Sequence, residues 1–425
     1  MISLLLGAFF LLLLIGTPVA FALGAASLIG LLYEGRIPLT AIAAKIYGGM
    51  DAFTLLAVPF FILAGELMDI GGIAQRLITL ARVLVGHLRG GLGMVVVVGE
   101  IFFSGISGST TADAAAMGSI MIPSLVRAGY RPERAAAIVS AASGMGILVP
   151  PCLSMVVYGA MTNTSIAALF AAGFLPAFVM AAALMGQIAL QARREGYPVM
   201  PRASLKEGVE AVREAFWALL MPVIIFGGIL GGIFTPTEAG VVAVVYGVVA
   251  GRYLYRELTW PQVGAIFIRS GRVTGIVMLL VGTANIFAWL LTLKHLPQLV
   301  VELIGSVAAG ALLFLFLSNL AFILLGALLD GLPAMLMLIP LLFPVATRLG
   351  VDPVHYGVLI AANMGMALFM PPAGVGLFIT SGIAQTSVGR VTRPLAPYLV
   401  TMFAVTLLIT YWPGLVLAVP RLLNL

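Results

Sequence analysis

The chain has 425 residues, of which 62% are hydrophobic and only 9% charged. A water-soluble domain carries about a quarter of its residues as charges, so this composition excludes a soluble globule and places the chain in a bilayer. The net charge of +6 does not point to nucleic acid, because Lys and Arg between apolar runs fix membrane orientation.

In chain order, apolar runs fall at 2–32, 53–68, 135–149, 167–190, 216–234, 241–249, 273–293, 311–329, 358–370 and 397–419. Runs of about 20 apolar residues span a bilayer as helices, whereas a membrane barrel shows short alternating segments. The class is therefore an all-α polytopic membrane protein. The first run is too long for a signal peptide and has no basic residue before it. Within this first helix Thr17-Pro18 echoes Thr235-Pro236 at an offset of 218, while 37–50, with Lys45, reads as an amphipathic outer arm lying against a partner. Glu66 and Asp69 read as interfacial. Glu100 is expected to pair with a basic neighbour.

Two stretches are predicted to be helical hairpins that enter and leave on one side. The first covers 91–125 and turns at SGISGSTTAD, 104–113. The second covers 310–347 and turns at GALLDGLP, 326–333, where Asp330 is the one charge. A broken helix follows each hairpin, at 135–161 and at 354–382. The polar stretch 193–214 links a first half, 1–192, to a second, 215–425. In TPTEA, 235–239, Glu238 is expected to serve the first turn of a helix.

With the N-terminus inside, the loops 71–90, 126–134, 193–214, 251–272 and 387–393 are cytoplasmic and hold 17 of the 22 Lys and Arg. The opposite orientation reverses that ratio, so the positive-inside rule selects the first. Nine spans and two hairpins then put the C-terminus outside, with the first hairpin opening inward and the second outward.

The two broken helices echo each other. GMGILVPP at 144–151 returns as GMALFMPP at 365–372, and 121–151 matches 342–372 at nine of 31 positions, mostly Gly, Pro and Arg. Together with the opposed hairpins this predicts two inverted-topology repeats, whose broken helices mark a binding site near the midplane. Proline removes its own N–H and clashes with the preceding turn, and unpaired backbone in a membrane is tolerated only where it is buried or lines a cavity. The carbonyls freed at such a break suit a bare cation, and half-helix N-termini suit an anion. Asp113, a carboxylate at mid-membrane depth, is a functional candidate by the same cost argument. Asp330 reads equally as a cation ligand or as an N-cap.

Other chemistries lack their parts. Cys152 is the single cysteine, and His87, His295 and His355 stand in no metal-ligand spacing. No Gly-rich run ends in GK[ST], which excludes a self-contained ATP-driven pump. No nucleophile stands with a base, so the chain is not read as an enzyme. A passive channel suits paired broken helices less well than alternating access does.

Four motifs together, SGISGSTTADAAAMGS, GMGILVPP, GIFTPTEAG at 232–240 and GMALFMPP, resemble the large membrane subunit of tripartite ATP-independent periplasmic (TRAP) transporters, within the ion transporter superfamily of elevator-type carriers. The resemblance runs the length of the chain. It implies a bacterial inner-membrane carrier in which a transport domain moves against a scaffold. It implies a separate four-helix small membrane subunit, a periplasmic binding protein that delivers a small carboxylate such as a C4-dicarboxylate or sugar acid, and Na⁺ as coupling ion at two or more sites. Carried over residue by residue, one Na⁺ site involves Ser104, Ser107, Gly144, Ile147 and Pro150. The other involves Gly326, Asp330, Gly365, Leu368 and Met370. The substrate is expected near Ser109, Thr110, Asp113, Pro151 and Pro372. A stand-alone symporter of the same superfamily, coupled to Na⁺ or H⁺ and needing no binding protein, is the alternative.

Overall fold

In hydrocarbon every backbone N–H and C=O must find a partner within the protein, which leaves helices as the economical solution for this chain. The computed structural model describes all residues but 36, 198, 297, 300, 301, 303–309 and 330, and all their side chains but those of 106 and 107. Among the described residues there is no strand. The helices are α1 Ile2–Leu14, α2 Val19–Glu34, α3 Thr40–Met50, α4 Ala57–Ile70, α5 Ile73–Val85, α6 Gly91–Ser107, α7 Thr110–Arg127, α8 Pro132–Gly146, α9 Leu153–Thr162 and α10 Ile166–Glu195. After the linker come α11 Leu205–Leu230, α12 Pro236–Val249, α13 Trp260–Leu293, α14 Gly310–Leu329, α15 Gly331–Arg348, α16 Pro353–Ala367, α17 Val375–Ile383, α18 Val388–Tyr411 and α19 Pro413–Leu422.

Local chemistry sets many of these boundaries. Proline stands at the first helical position of α8, α12, α16 and α19, where its missing N–H is no loss. Glu238 closes a capping box with Thr235 at the start of α12, as the sequence suggests. Asp352 caps α16 by accepting from the N–H groups of Val354 and His355. The run 2–32 is not one span: Thr17-Pro18 splits it into α1 and α2, because Pro18 cannot donate to the ladder. The last run splits likewise at Trp412-Pro413.

Among the described residues eight helices are long and apolar enough to cross a membrane, and these include α14 and α15, which the sequence reading took for hairpin arms. The chain is a multi-pass membrane protein.

Packing divides the helices into two bodies. In the first, α13 lies against α2, α3 and α4, α4 against α12, and α5 against α11. In the second, α8 lies against α6, α7, α16 and α18, α16 against α14 and α15, and α10 against α18 and α19. The bodies meet where α13 touches α15, where α4 touches α6 and α9, and where α5 touches α6. The arm 37–50 contributes α3, which lies on α13 with Lys45 Nζ 5.0 Å from the ring centre of Trp289. Glu66 is paired with Arg269 at 2.7 Å.

Candidate functional site

The first hairpin tip is built by glycine. α6 ends at Ser107, Gly108 turns the chain at φ +64°, Ser109 is extended, and α7 begins at Thr110. A residue with a Cβ is disfavoured at such a φ. α8 stops at Gly146 because Pro150 and Pro151 have no N–H with which to continue it, and α9 resumes at Leu153. The tip lies directly on this break. A Cβ at Gly105 would come 3.3 Å from Pro150 O, and one at Gly108 would come 3.0 Å from Pro151 O. Leu153 N–H donates to Gly108 O at 3.4 Å. Ile147, Pro150 and Pro151 are buried. Among the described residues no hydrogen bond reaches Ile147 O or Pro150 O. The same holds for the carbonyls of Leu148, Val149 and Pro151, and because buried carbonyls are nearly always paired, such a run at a helix break has the chemistry to accept a cation.

Beside them sits a buried polar cluster. Ser104 Oγ donates to Asp113 Oδ2 at 2.6 Å and lies 3.3 Å from Glu100 Oε2, and Ser143 donates to Glu100 Oε1. Glu100 and Asp113 are both buried. The expected basic partner of Glu100 is a correction: no ion pair reaches it among the described residues, and serines take that place. Asp113, one turn into α7, points back at α6, where it accepts from Ser104. A Cβ at Gly146 would run into Ser104 Oγ, so Gly146 is the residue that admits Ser104 to the break. The side chain of Ser107 lies outside the described residues.

The second tip is arranged differently. Gly326 and Gly331 pack on the last turn of α16: Cβ atoms there would meet Ala367 Cβ at 2.8 Å and Met364 Cβ at 3.5 Å. The Gly331 Cβ would also come 3.6 Å from Leu368 Cγ, at the break itself. Leu368 O accepts from Gly376 N–H at 2.9 Å and Met370 O from Gly374 N–H at 3.0 Å. Pro151 is buried, but its counterpart Pro372 is exposed. Asp330 lies outside the described residues. A neutral ladder ties hairpin to broken helix here: Asn363 donates to Asn319 Oδ1 at 2.7 Å, and Asn319 donates to Thr410 Oγ1 at 2.9 Å.

The two breaks are in contact. A Cβ on Gly144 would stand 2.8 Å from Gly365 O, and one on Gly365 would overlap Gly144 O. Residues 221 apart in sequence therefore meet each other, as happens at a two-fold contact, where the same patch faces itself. The helices keep that register: α7 and α15 have 18 residues each, α8 and α16 have 15 each, and every start is displaced by 221. Both Pro-Pro bonds are cis, and Gly129 and Gly350 both have positive φ. Ala114 of α7 packs with Leu368 and Phe369 of the other break, and Ser140 shares a 2.8 Å hydrogen bond with Thr380. Thr110 is buried and Ser109 partly exposed.

None of the expected ion or substrate residues lines a cavity between the two bodies. This cavity encloses about 310 Å³ bounded by Gly48, Gly49, Thr162, Asn285, Pro340 and Phe343. Among the described residues no group of three His, Cys, Asp or Glu side chains comes together.

The sequence profile of the tripartite ATP-independent periplasmic transporter family, DctM component, matches residues 6–415. The chain belongs to that family. As a DctM component it is a transporter permease. The C4-dicarboxylate TRAP transporter large permease protein DctM of Pseudomonas aeruginosa is 38% identical over 385 residues, 91% of this chain and 90% of the relative. The sialic acid TRAP transporter large permease protein SiaM of Vibrio cholerae is 38% identical over 411 residues, 97% and 96%. In fold the chain is similar to the crystal structure of the YdaH transporter of Alcanivorax borkumensis, with a TM-score of 0.62 at 16% identity over 88% of this chain and 87% of that one.

Proposed function

We propose that the chain is the carrier subunit of a Na⁺-coupled uptake system for a small organic anion such as a carboxylate. It acts in the bacterial inner membrane with its N-terminus cytoplasmic and its C-terminus periplasmic. A separate small membrane subunit and a periplasmic binding protein complete the assembly, as the family's tripartite description suggests. The observation that carries the ion reading is the pair of buried carbonyls at Ile147 and Pro150 without hydrogen bonds, beneath a tip of glycines and serines.

An all-oxygen set of carbonyls and hydroxyls fits an alkali cation. Ser104, Ser107, Gly144, Ile147 and Pro150 would hold the first Na⁺. Gly326, Asp330, Gly365, Leu368 and Met370 would hold the second. When bound, the ions supply positive charge beside the first turn of α7. The residues of this chain do the rest. Ser109 and Thr110 present hydroxyls, and the α7 N-terminus presents N–H groups, to the substrate's carboxylate. Pro372, exposed where Pro151 is not, forms the open rim of that site. The body containing α6–α10 and α14–α19 is proposed to slide as an elevator against the body containing α1–α5 and α11–α13, with the two halves serving as inverted repeats.

Reconstitution tests this. Proteoliposomes holding the chain and its small membrane partner, supplied with a binding protein loaded with labelled organic acid, should accumulate label only under an inward Na⁺ gradient. Uptake of free acid without the binding protein would instead identify a stand-alone symporter. Uptake that follows a proton gradient and ignores Na⁺ would refute the carbonyl-cage reading.

A further inference from the structure

The arginine-rich end of the second body carries a groove that none of the transport chemistry uses. The start of α8, the end of α10 and the start of α18 enclose about 820 Å³, lined by Arg131, Arg134, Arg390, Arg393, Glu195 and Pro397 among others. Two of the four arginines are neutralised: Arg134 is paired with Glu195 and also donates to Gln191 at 3.0 Å, and Arg131 lies 3.5 Å from Glu133. Arg390 and Arg393 are exposed and enter no ion pair among the described residues. They occupy the first two turns of a 24-residue helix whose N-cap, Ser387, makes no side-chain cap bond. Two guanidinium forks and the positive end of a helix therefore face one space, which is the chemistry that binds phosphate.

The groove also has an apolar continuation. From Arg393 the exposed face of α18 runs on through Pro397, Val400, Ala404 and Leu408 at helical spacing. Beside it α10 exposes Ala182, Gly186 and Leu190. Val400 is 68% and Leu190 59% exposed. Hydrogen bonds from Tyr398 to Gln191 and from Thr401 to Gln187 hold the two helices together, so the two exposed faces lie side by side. A free anion would use the arginines alone, whereas an amphiphile uses both parts.

We propose that this groove binds an anionic phospholipid, with its phosphate on Arg390 and Arg393 and an acyl chain along the exposed faces of α10 and α18. Basic pockets between membrane helices recognise such headgroups by charge and by fit.

The test uses the full chain, delipidated in detergent, with native mass spectrometry and melting temperature as readouts. Phosphatidylglycerol should be retained and should stabilise the protein, and phosphatidylcholine should not. R390Q/R393Q should weaken phosphatidylglycerol retention about tenfold or more. R193Q/R194Q, which removes exposed charges at the end of α10 that do not line the groove, should change it by less than about twofold. If the double variant does not fold, R390Q alone should still cost about threefold. The proposal is overturned if R390Q/R393Q or, in its place, R390Q retains the lipid like the parent. It is overturned if R193Q/R194Q loses as much, since any basic surface would then do. Equal stabilisation by inorganic phosphate would also overturn it, by assigning the site to a soluble anion.

Discussion

The two tip-and-break pairs share equal lengths and register in α7 and α15 and in α8 and α16, yet they are closed in different ways. At the first, Gly105 and Gly108 lie on Pro150 and Pro151, the carbonyl of Ile147 takes no hydrogen bond among the described residues, and a carboxylate and serine cluster is sealed beneath. At the second, Gly326 and Gly331 rest on Met364, Ala367 and Leu368, the carbonyl of Leu368, the counterpart of Ile147, accepts from Gly376 N–H, and Pro372 is left exposed. A common backbone plan thus yields one covered, oxygen-rich pocket and one partly open rim. The difference comes from side-chain bulk: Gly146 in the first break admits Ser104, where the second has Ala367 at the equivalent position.

The comparison depends first on the crossing that holds both breaks together. Gly365→Ala puts a Cβ into Gly144 O, a backbone atom that cannot rotate away. It is expected to destabilise the protein by about 3 kcal/mol, seen as a lower melting temperature and reduced yield of folded protein. A melting temperature equal to that of the parent would show that the glycines are not in close contact. The next effect should separate the two tips. Gly108→Ala meets both a positive φ and Pro151 O at 3.0 Å, whereas a Cβ at Gly331 has no neighbour closer than 3.5 Å. Gly108→Ala should raise the Na⁺ concentration for half-maximal uptake about tenfold, and Gly331→Ala should leave it within about twofold. Equal shifts would mean that the two sites bind the ion alike.

The smallest difference concerns the polar ties from hairpin to broken helix. Ser143→Ala removes a donor from the buried Glu100, and Asn363→Ala removes one from the neutral Asn319. Losing a bond to a carboxylate should cost about 2 kcal/mol, and losing the neutral one about 1 kcal/mol. Chemical denaturation of the two variants measures the gap, and the reverse order would place the more demanding cluster in the second half.

Much of this plan is readable from residue order, because proline and glycine act locally. The Pro-Pro pairs stop α8 and α16, Gly108 turns the first tip, and Thr235 with Glu238 starts α12. Contacts between distant segments are not readable that way. Nothing local brings Glu100 to Ser143, 43 residues away, so a carboxylate in an apolar helix suggests a missing cation rather than two serines. The meeting of Gly144 with Gly365 also depends on how the halves pack, although the shared glycine at offset 221 was the available clue. The bond from Ser104 to Asp113 is likewise not legible, since the position of Asp113 in the tip says nothing about which neighbour its turn of α7 addresses. The first run, read as one helix, splits at Thr17-Pro18, where the missing proline N–H breaks the ladder.

The central claim is that the first break is a Na⁺ cage and the second a weaker, more open one. The most direct measurement is melting temperature against Na⁺ concentration, with K⁺ keeping ionic strength constant, for the parent, Gly108→Ala and Gly331→Ala. A ligand that binds only the folded state stabilises it in proportion to the logarithm of its saturation. The account predicts that Na⁺ but not K⁺ raises the melting temperature of the parent. It also predicts that Gly108→Ala loses the rise at low Na⁺ and Gly331→Ala keeps it. Equal stabilisation by both cations, or loss of the rise in Gly331→Ala alone, would contradict it.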